Sequence, residues 1–333
     1  PMHGRTGFGN LQDRPRPPMG GRLLKQWMAL PLKAPGRLDA RLDVVERLVA
    51  GPELRERIGE ILDMVGDMER LSARIATQRI TPREMVQLRQ SLSALSTLRD
   101  SLEEGGDGVL GGIARQIDIC EEQRARIEAV VFPDPQNNQI QKGGVIADGV
   151  DPELDDLRRI ANHGKEVIAE IQRRESEITG IPSLKVSFNN VFGYYIEVRN
   201  THKDKVPEGW IRKQTLTAAE RYITQELKEY EEKILGAEEK MLAIEMRIYA
   251  SLIEYLSGAI QIFQRNGAVV ARLDCLLSFA RMAVERGYCR PTLYEGMEVD
   301  IRDGRHPVIE TLMEPGQQYI PNDVFLDDRS QQI

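Results

Sequence analysis

Residues 223–255 read ITQELKEYEEKILGAEEKMLAIEMRIYASLIEY, and their spacing decides the fold. Ile223, Leu227, Tyr230, Ile234, Ala237, Met241, Ile244, Ile248, Ser251 and Tyr255 follow one another at alternating steps of four and three, with Glu and Lys between them. A sustained repeat of about 3.5 residues marks a helix that buries one narrow seam against another helix. A helix from 222 to 258 would run roughly 55 Å at about 1.5 Å per residue, too long for the inside of an ordinary bundle. A matching pattern opens at Asp151-Pro152-Glu153, an N-cap followed by a first-turn proline, and continues through Leu157, Ile160, Gly164, Ile168, Ile171 and Ile178. Two such helices flanking residues 181–221 predict an antiparallel pair with something mounted at its tip.

The tip has a different period. Leu184, Val186 and Phe188 alternate with Lys185, Ser187 and Asn189. After the turn Asn189-Asn190-Val191-Phe192-Gly193, Tyr194, Ile196 and Val198 alternate with Tyr195, Glu197 and Arg199. Alternation on both sides of a glycine-containing turn predicts a β-hairpin.

Working outward, the first half of the chain is helical. Leu23, Leu24, Trp27 and Leu30 form one apolar face that stops at Pro31, and Arg41–Ala50 is closed by Gly51-Pro52. One helix or a pair covers Leu54–Ile80. Thr81-Pro82-Arg83-Glu84 then has the residue types of a helix start: N-cap Thr, Pro at N1, Glu at N3. Met85, Leu88, Leu92, Leu95 and Leu98 give the next helix one face, the glycines between 105 and 112 end it, and a further helix is expected from Ile113 to Val131. Residues 132–144 are rich in turn formers. The fold class expected is mainly α: a helical core bundle with a long antiparallel two-helix lever carrying a small β-containing clamp.

Composition excludes several functions. Charged residues make up 29% and aromatics 5%, which favours long helices with solvated faces. Cys120, Cys275 and Cys289 are scattered thiols without zinc spacing, and they suit a reducing compartment. His3, His163, His202 and His306 are dispersed and suggest no metal site. No Gly-x-x-x-x-Gly-Lys-Ser/Thr occurs, so no P-loop is present. No nucleophile is marked by a neighbouring base, and no apolar run approaches the ~20 residues of a membrane span. These 333 residues are therefore expected to be neither an enzyme nor a membrane protein, to need no cofactor of their own, and to work in the cytoplasm.

Charge then separates the segments. The whole chain carries −7, which argues against coating nucleic acid with its entire surface. Residues 181–224 hold seven basic and four acidic side chains, whereas 151–180 hold five and eight, and 225–260 four and eight. The tip is a positive island between negative helices, and a phosphate backbone would be drawn to it. Asn189, Asn190, Tyr194, Arg212, Lys213, Thr215 and Arg221 are the candidate DNA-backbone-binding residues, with Tyr195 and Thr217 beside them. Charge alone also allows a hairpin whose cations only keep it soluble, and the repeat allows a coiled-coil protein-interaction scaffold.

Several blocks carry a family likeness. Pro18-Met19-Gly20-Gly21-Arg22-Leu23-Leu24-Lys25-Gln26-Trp27 resembles the start of the core domain of MutS proteins, and residues 144–155 the segment leading into their lever helix. Leu184-Lys185-Val186, Gly193-Tyr194-Tyr195-Ile196, Gln214-Thr215-Leu216, Glu220-Arg221-Tyr222 and residues 226–231 resemble the clamp. Leu273-Asp274-Cys275-Leu276 and Gly304-Arg305-His306-Pro307-Val308 resemble the return helix and the opening of the ATPase domain. The likeness implies a core domain at 18–164 and 225–288, a clamp inserted at 165–224, and a truncated ATPase start at 289–333. Residues 1–17 are expected to be a loosely ordered or non-native segment, since Arg14-Pro15-Arg16-Pro17 stands where the family has Thr-x-Thr. It further implies a part of a mismatch-repair protein that couples mismatched-DNA binding to an ATPase. The partners implied are double-stranded DNA, a second MutS subunit and MutL, with ATP and Mg as cofactors of the full-length protein only. Tyr319 and Ile320 match the family's adenine-stacking stretch. A branch devoted to meiotic crossing-over shares the clamp and remains an alternative.

Overall fold

The computed structural model describes residues 15–106, 108–189, 191, 193–313 and 317–329. The chain divides into two compact units, one formed by residues 1–80, 84–127 and 255–333, the other by 81–83 and 128–254.

In the first unit α1 (Pro18–Ala29), α2 (Pro35–Ala50), α3 (Pro52–Asp63) and α4 (Met68–Ala76) pack on α10 (Ile260–Arg286). The first three begin with a first-turn proline, whose missing N–H would have had no helical partner. Asp67 caps α4 by accepting the Arg70 N–H. Helix α10 is buried round much of its circumference, with Phe263, Val270, Leu273, Cys275 and Ala280 fully enclosed. In α5 (Pro82–Glu103) the expected face Met85, Leu88, Leu92, Leu95 and Leu98 is fully buried.

Three expectations change here. Leu30 is 72% exposed, and the buried face of α1 is Met19, Gly20 and Leu24. Helix α2 starts at Pro35 rather than Arg41. The single helix expected from 113 to 131 is two, α6 (Val109–Ala114) and α7 (Glu121–Val130). The interruption has a tertiary cause: the Asn266 amide accepts the Asp118 N–H at 3.0 Å and donates to the Asp118 carbonyl at 2.7 Å. That buried pair of bonds gives the backbone partners outside a helix, and Cys120 follows at φ 49°. An antiparallel pair, β5 (Val299–Gly304) and β6 (Asn322–Leu326), flanks α11 (Pro307–Leu312).

The second unit is built on α8 (Pro152–Thr179) and α9 (Gln225–Ser257). Asp151 caps α8 by accepting the Glu153 and Leu154 N–H groups, and left-handed Gly180 ends it. Thr224 Oγ1 accepts the Leu227 N–H at the start of α9. Partners run in opposite senses: Asp151 meets Arg247, Arg158 meets Glu245, Lys165 meets Glu238, and Arg174 meets Glu226. Gly164 lets the helices close up, since a Cβ there would lie 2.6 Å from Ile234 Cγ1.

The seam of α8 is Leu154, Ala161, Gly164, Ile168 and Ile171; Ile160 and Ile178 are exposed, contrary to expectation. On α9 the expected positions hold as far as Ile248. Burial then passes to Tyr249, Leu252, Ile253 and Leu256, leaving Ser251 and Tyr255 outside. The change falls where α8 begins, since its N-cap Asp151 pairs with Arg247 and α9 beyond Ile248 has no α8 residue opposite it. Near Ile248, the buried Glu245 carboxylate accepts N–H groups from Gly144, Val145 and Ile146 and pairs with Arg158 at 3.2 Å.

The tip is a four-stranded antiparallel sheet of β1 (Lys185–Asn189), β2 (Gly193–Arg199), β3 (Ile211–Thr215) and β4 (Ala219–Ile223), in the order β1-β2-β4-β3. The sequence predicts only the first hairpin. The edge strand β3 reads Ile-Arg-Lys-Gln-Thr, with one apolar residue and no alternation to detect. Ile196, Val198 and Tyr222 pack with Ile168, Leu227 and Ile234 of the helices.

Candidate nucleic-acid interface

Register sorts the tip's side chains into two faces, because residues directly opposite in an antiparallel pair share a face. Ile196 lies opposite Val186 and Tyr222, and Tyr222 opposite Arg212. This set, continued by Tyr194, Thr215 and Glu220, is the face packed on the helices. Glu197 lies opposite Lys185 and Arg221, and Arg221 opposite Gln214. Those residues, with Ser187, Tyr195 and Arg199, form the face turned away from the helices.

The sequence candidates are therefore not one cluster. Arg221 is largely buried by its own partners: Nε donates to Glu197 at 3.1 Å, Nη1 donates to Gln214 at 3.0 Å, and the guanidinium lies 4.2 Å over the Tyr195 ring. It ties three strands together, with its Nε and Nη1 donors engaged inside the sheet. Arg212 points to the other face but lies on the edge strand, where it is 61% exposed and pairs with Glu220 at 3.4 Å. Lys213 sits in the bulge between Arg212 and Gln214, exposed and without an ion pair among the described residues. Thr215 is exposed at the end of the same strand.

Asn189 serves its turn, its Oδ1 accepting the Val191 N–H at 2.8 Å. Asn190 lies outside the described residues. Tyr194 faces the helices: its N–H donates to Glu231 at 2.6 Å, its ring lies 5.0 Å from that of Phe188, and burial raises its pKa. Tyr222 is pushed up to about 12 by burial and by its hydrogen bond to Glu220, so both phenols stay neutral. Thr217 is exposed in the β3–β4 turn.

Residue selection by sequence missed Lys185, Arg199 and Lys203, which are exposed and unpaired among the described residues. The signal was available for two of them, since strand alternation already put Lys185 and Arg199 opposite the apolar set. With Arg212, Lys213 and Lys205, whose Nζ donates to the Gly180 carbonyl at 3.4 Å, they make the tip's accessible positive charge. Each is a flexible or fork-shaped donor of a kind able to meet a phosphate oxygen.

Away from the tip, Tyr319 is half-buried and Ile320 is 79% exposed, just before β6. Among the described residues no group of His, Cys, Asp or Glu is placed to hold a metal, and no helix is long and apolar enough to cross a membrane.

Comparison with known proteins identifies the family. The family model for MutS domain III matches residues 8–280. The chain is 52% identical over 330 residues to a DNA mismatch repair protein MutS from Phocaeicola vulgatus, covering 99% of this chain and 38% of that protein. It is 53% identical over 324 residues to one from Bacteroides thetaiotaomicron, covering 97% and 38%, and 52% identical over 321 residues to one from Bacteroides fragilis, covering 96% and 37%. The chain thus spans less than two fifths of the length of these relatives. With the domain III match extending over most of its residues, the chain belongs to the MutS family.

Proposed function

We propose that residues 165–224 act as a clamp on the phosphate backbone of double-stranded DNA, and that α8 and α9 act as the lever that carries it. The clamp would be inserted in a core (lever) domain formed by 18–164 and 225–288, with an ATPase part opening at 289–333. The observation that carries this reading is the set of exposed cations Lys185, Arg199, Lys203, Lys205, Arg212 and Lys213 on a tip flanked by two acidic helices. Negative helices repel a misplaced duplex while the tip attracts it, which favours one binding position. Relatives named as DNA mismatch repair proteins support the context. In the whole protein the lever would couple mismatched-DNA binding to ATP and Mg use elsewhere, with a second MutS subunit and MutL as partners. No step of ATP chemistry is assigned to these residues.

The alternative, a coiled-coil interaction scaffold whose tip binds protein, uses the same inward-facing repeat, with Leu154, Gly164, Ile168, Ile234 and Ala237 buried within the unit itself, and a DNA titration discriminates the two. The test is a titration of the 333-residue chain with a fluorescent duplex at low ionic strength, beside Lys213→Glu and Arg212→Glu. The expected result is salt-sensitive binding that each reversal weakens. Binding unaffected by either reversal, or absent even at low salt, would remove the clamp reading for the isolated chain.

A further inference from the structure

The first unit holds a cationic cleft unrelated to the tip. Helix α2 divides its charges by face. Asp39, Asp43 and Glu46 lie on one side, where all three are gathered by Arg290 at 2.7–3.3 Å. Arg37, Arg41 and Val44 lie on the other and line a cleft of about 360 Å³ with Arg272, Gln116 and Leu276. None of these three arginines forms an ion pair among the described residues. Arg272 donates to Gln116 at 2.7 Å, and the Arg41 guanidinium lies 3.5 Å over the Trp27 ring. Partial burial, with Arg37 and Arg272 pressing on it electrostatically, lowers the pKa of Arg41.

Like charges gathered in a concave, partly apolar site are mutually repulsive until an anion enters. The carboxylates that could have relieved them are held on the opposite face of α2. We propose that this cleft is an oxyanion site, in which Arg37, Arg41 and Arg272 hold a phosphate or carboxylate group whose apolar body rests on Val44 and Leu276. Guanidinium forks suit both groups, because each offers two oxygens to parallel N–H donors.

Trp27 beneath Arg41 supplies the readout. In the full chain with Trp210→Phe, so that Trp27 reports alone, emission is followed while inorganic phosphate replaces chloride at constant ionic strength. A second arm uses a short blocked Leu-Asp-Leu peptide. A saturable change is expected, weakened at least about tenfold in Arg37→Gln/Arg272→Gln, the scale of one lost charge-assisted hydrogen bond. Tighter binding of phosphate would identify a phosphate ligand, and tighter binding of the peptide a carboxylate on an apolar chain. Arg37→Gln alone, an exposed position, guards against misfolding of the double variant and should show an intermediate loss. No saturation in either arm, or the same response in the variants, would overturn the proposal.

Discussion

Arg212 and Arg221 lie nine residues apart in one small sheet, yet they meet different surroundings. Arg221 holds Glu197 and Gln214 and covers Tyr195, whereas Arg212 reaches solvent from an edge strand. Arg221→Met should therefore lower unfolding stability by about 1–3 kcal/mol, because Glu197 and Gln214 lose a part-buried donor. Lys213→Glu should leave stability within about 0.5 kcal/mol, as expected of a surface change, while weakening duplex binding. Urea unfolding followed by Trp210 emission separates the two; equal effects on stability would contradict the assignment. Asp274 gives a second residue-scale prediction. Its carboxyl is buried, with Oδ1 accepting the Arg16 N–H at 3.0 Å and Oδ2 without a hydrogen-bond partner, and burial raises its pKa to about 7. The folded state therefore holds this proton more tightly than the unfolded chain. The stability it contributes is full below about pH 4 and is lost as pH rises through about 7, at up to about 1.4 kcal/mol per pH unit. Asp274→Asn should flatten that loss when urea midpoints are compared from pH 5 to pH 8. An unchanged pH profile would show that another group is responsible.

At the scale of elements, the α8–α9 pair depends on one close approach. A Cβ at Gly164 would lie 2.6 Å from Cγ1 of the fully buried Ile234. Alanine gains roughly 1 kcal/mol of helix propensity over glycine, but overpacking costs about 1–3 kcal/mol. Because Cγ1 is near the backbone and cannot swing away, Gly164→Ala is expected to be net destabilising, and Gly164→Leu more so. Gly164→Ala should cost less in an Ile234→Ala background than on its own, a non-additivity that a double-mutant cycle measures directly. Strict additivity would mean that the helices do not meet there. Farther along, Glu245 joins the 144–146 loop to both helices, so the seam contains a directional polar joint as well as apolar packing.

For the whole molecule, net charge and local charge point in opposite directions. A chain of −7 repels DNA on average, so the proposed duplex affinity is expected to come from local positive charge at the tip. Four or five phosphate contacts by the exposed tip cations would give a log–log salt slope of roughly −4, and each reversed cation should reduce its magnitude by about one. Arg272→Gln, in the other unit, should leave that slope unchanged, which also separates the oxyanion cleft from the clamp.

Period was legible in the sequence wherever the buried partner was regular. The face of α5, the first hairpin and most of the α9 seam follow from spacing alone, because burial along one helix face or one strand face repeats with the element's own geometry. Charge segregation between tip and helices was legible for the same reason, being a property of the chain order. What spacing could not contain was set by partners distant in sequence. Asn266 interrupts a helix 148 residues earlier, and edge strand β3 exists because β4 offers it hydrogen bonds. Glu197 and Gln214 draw Arg221 into the sheet, and Arg290 removes the acids that would have neutralised the Arg37–Arg41–Arg272 cleft. A cation's availability to a ligand depends on which carboxylates the fold brings beside it. Composition counts the charges, and only tertiary structure decides which remain free.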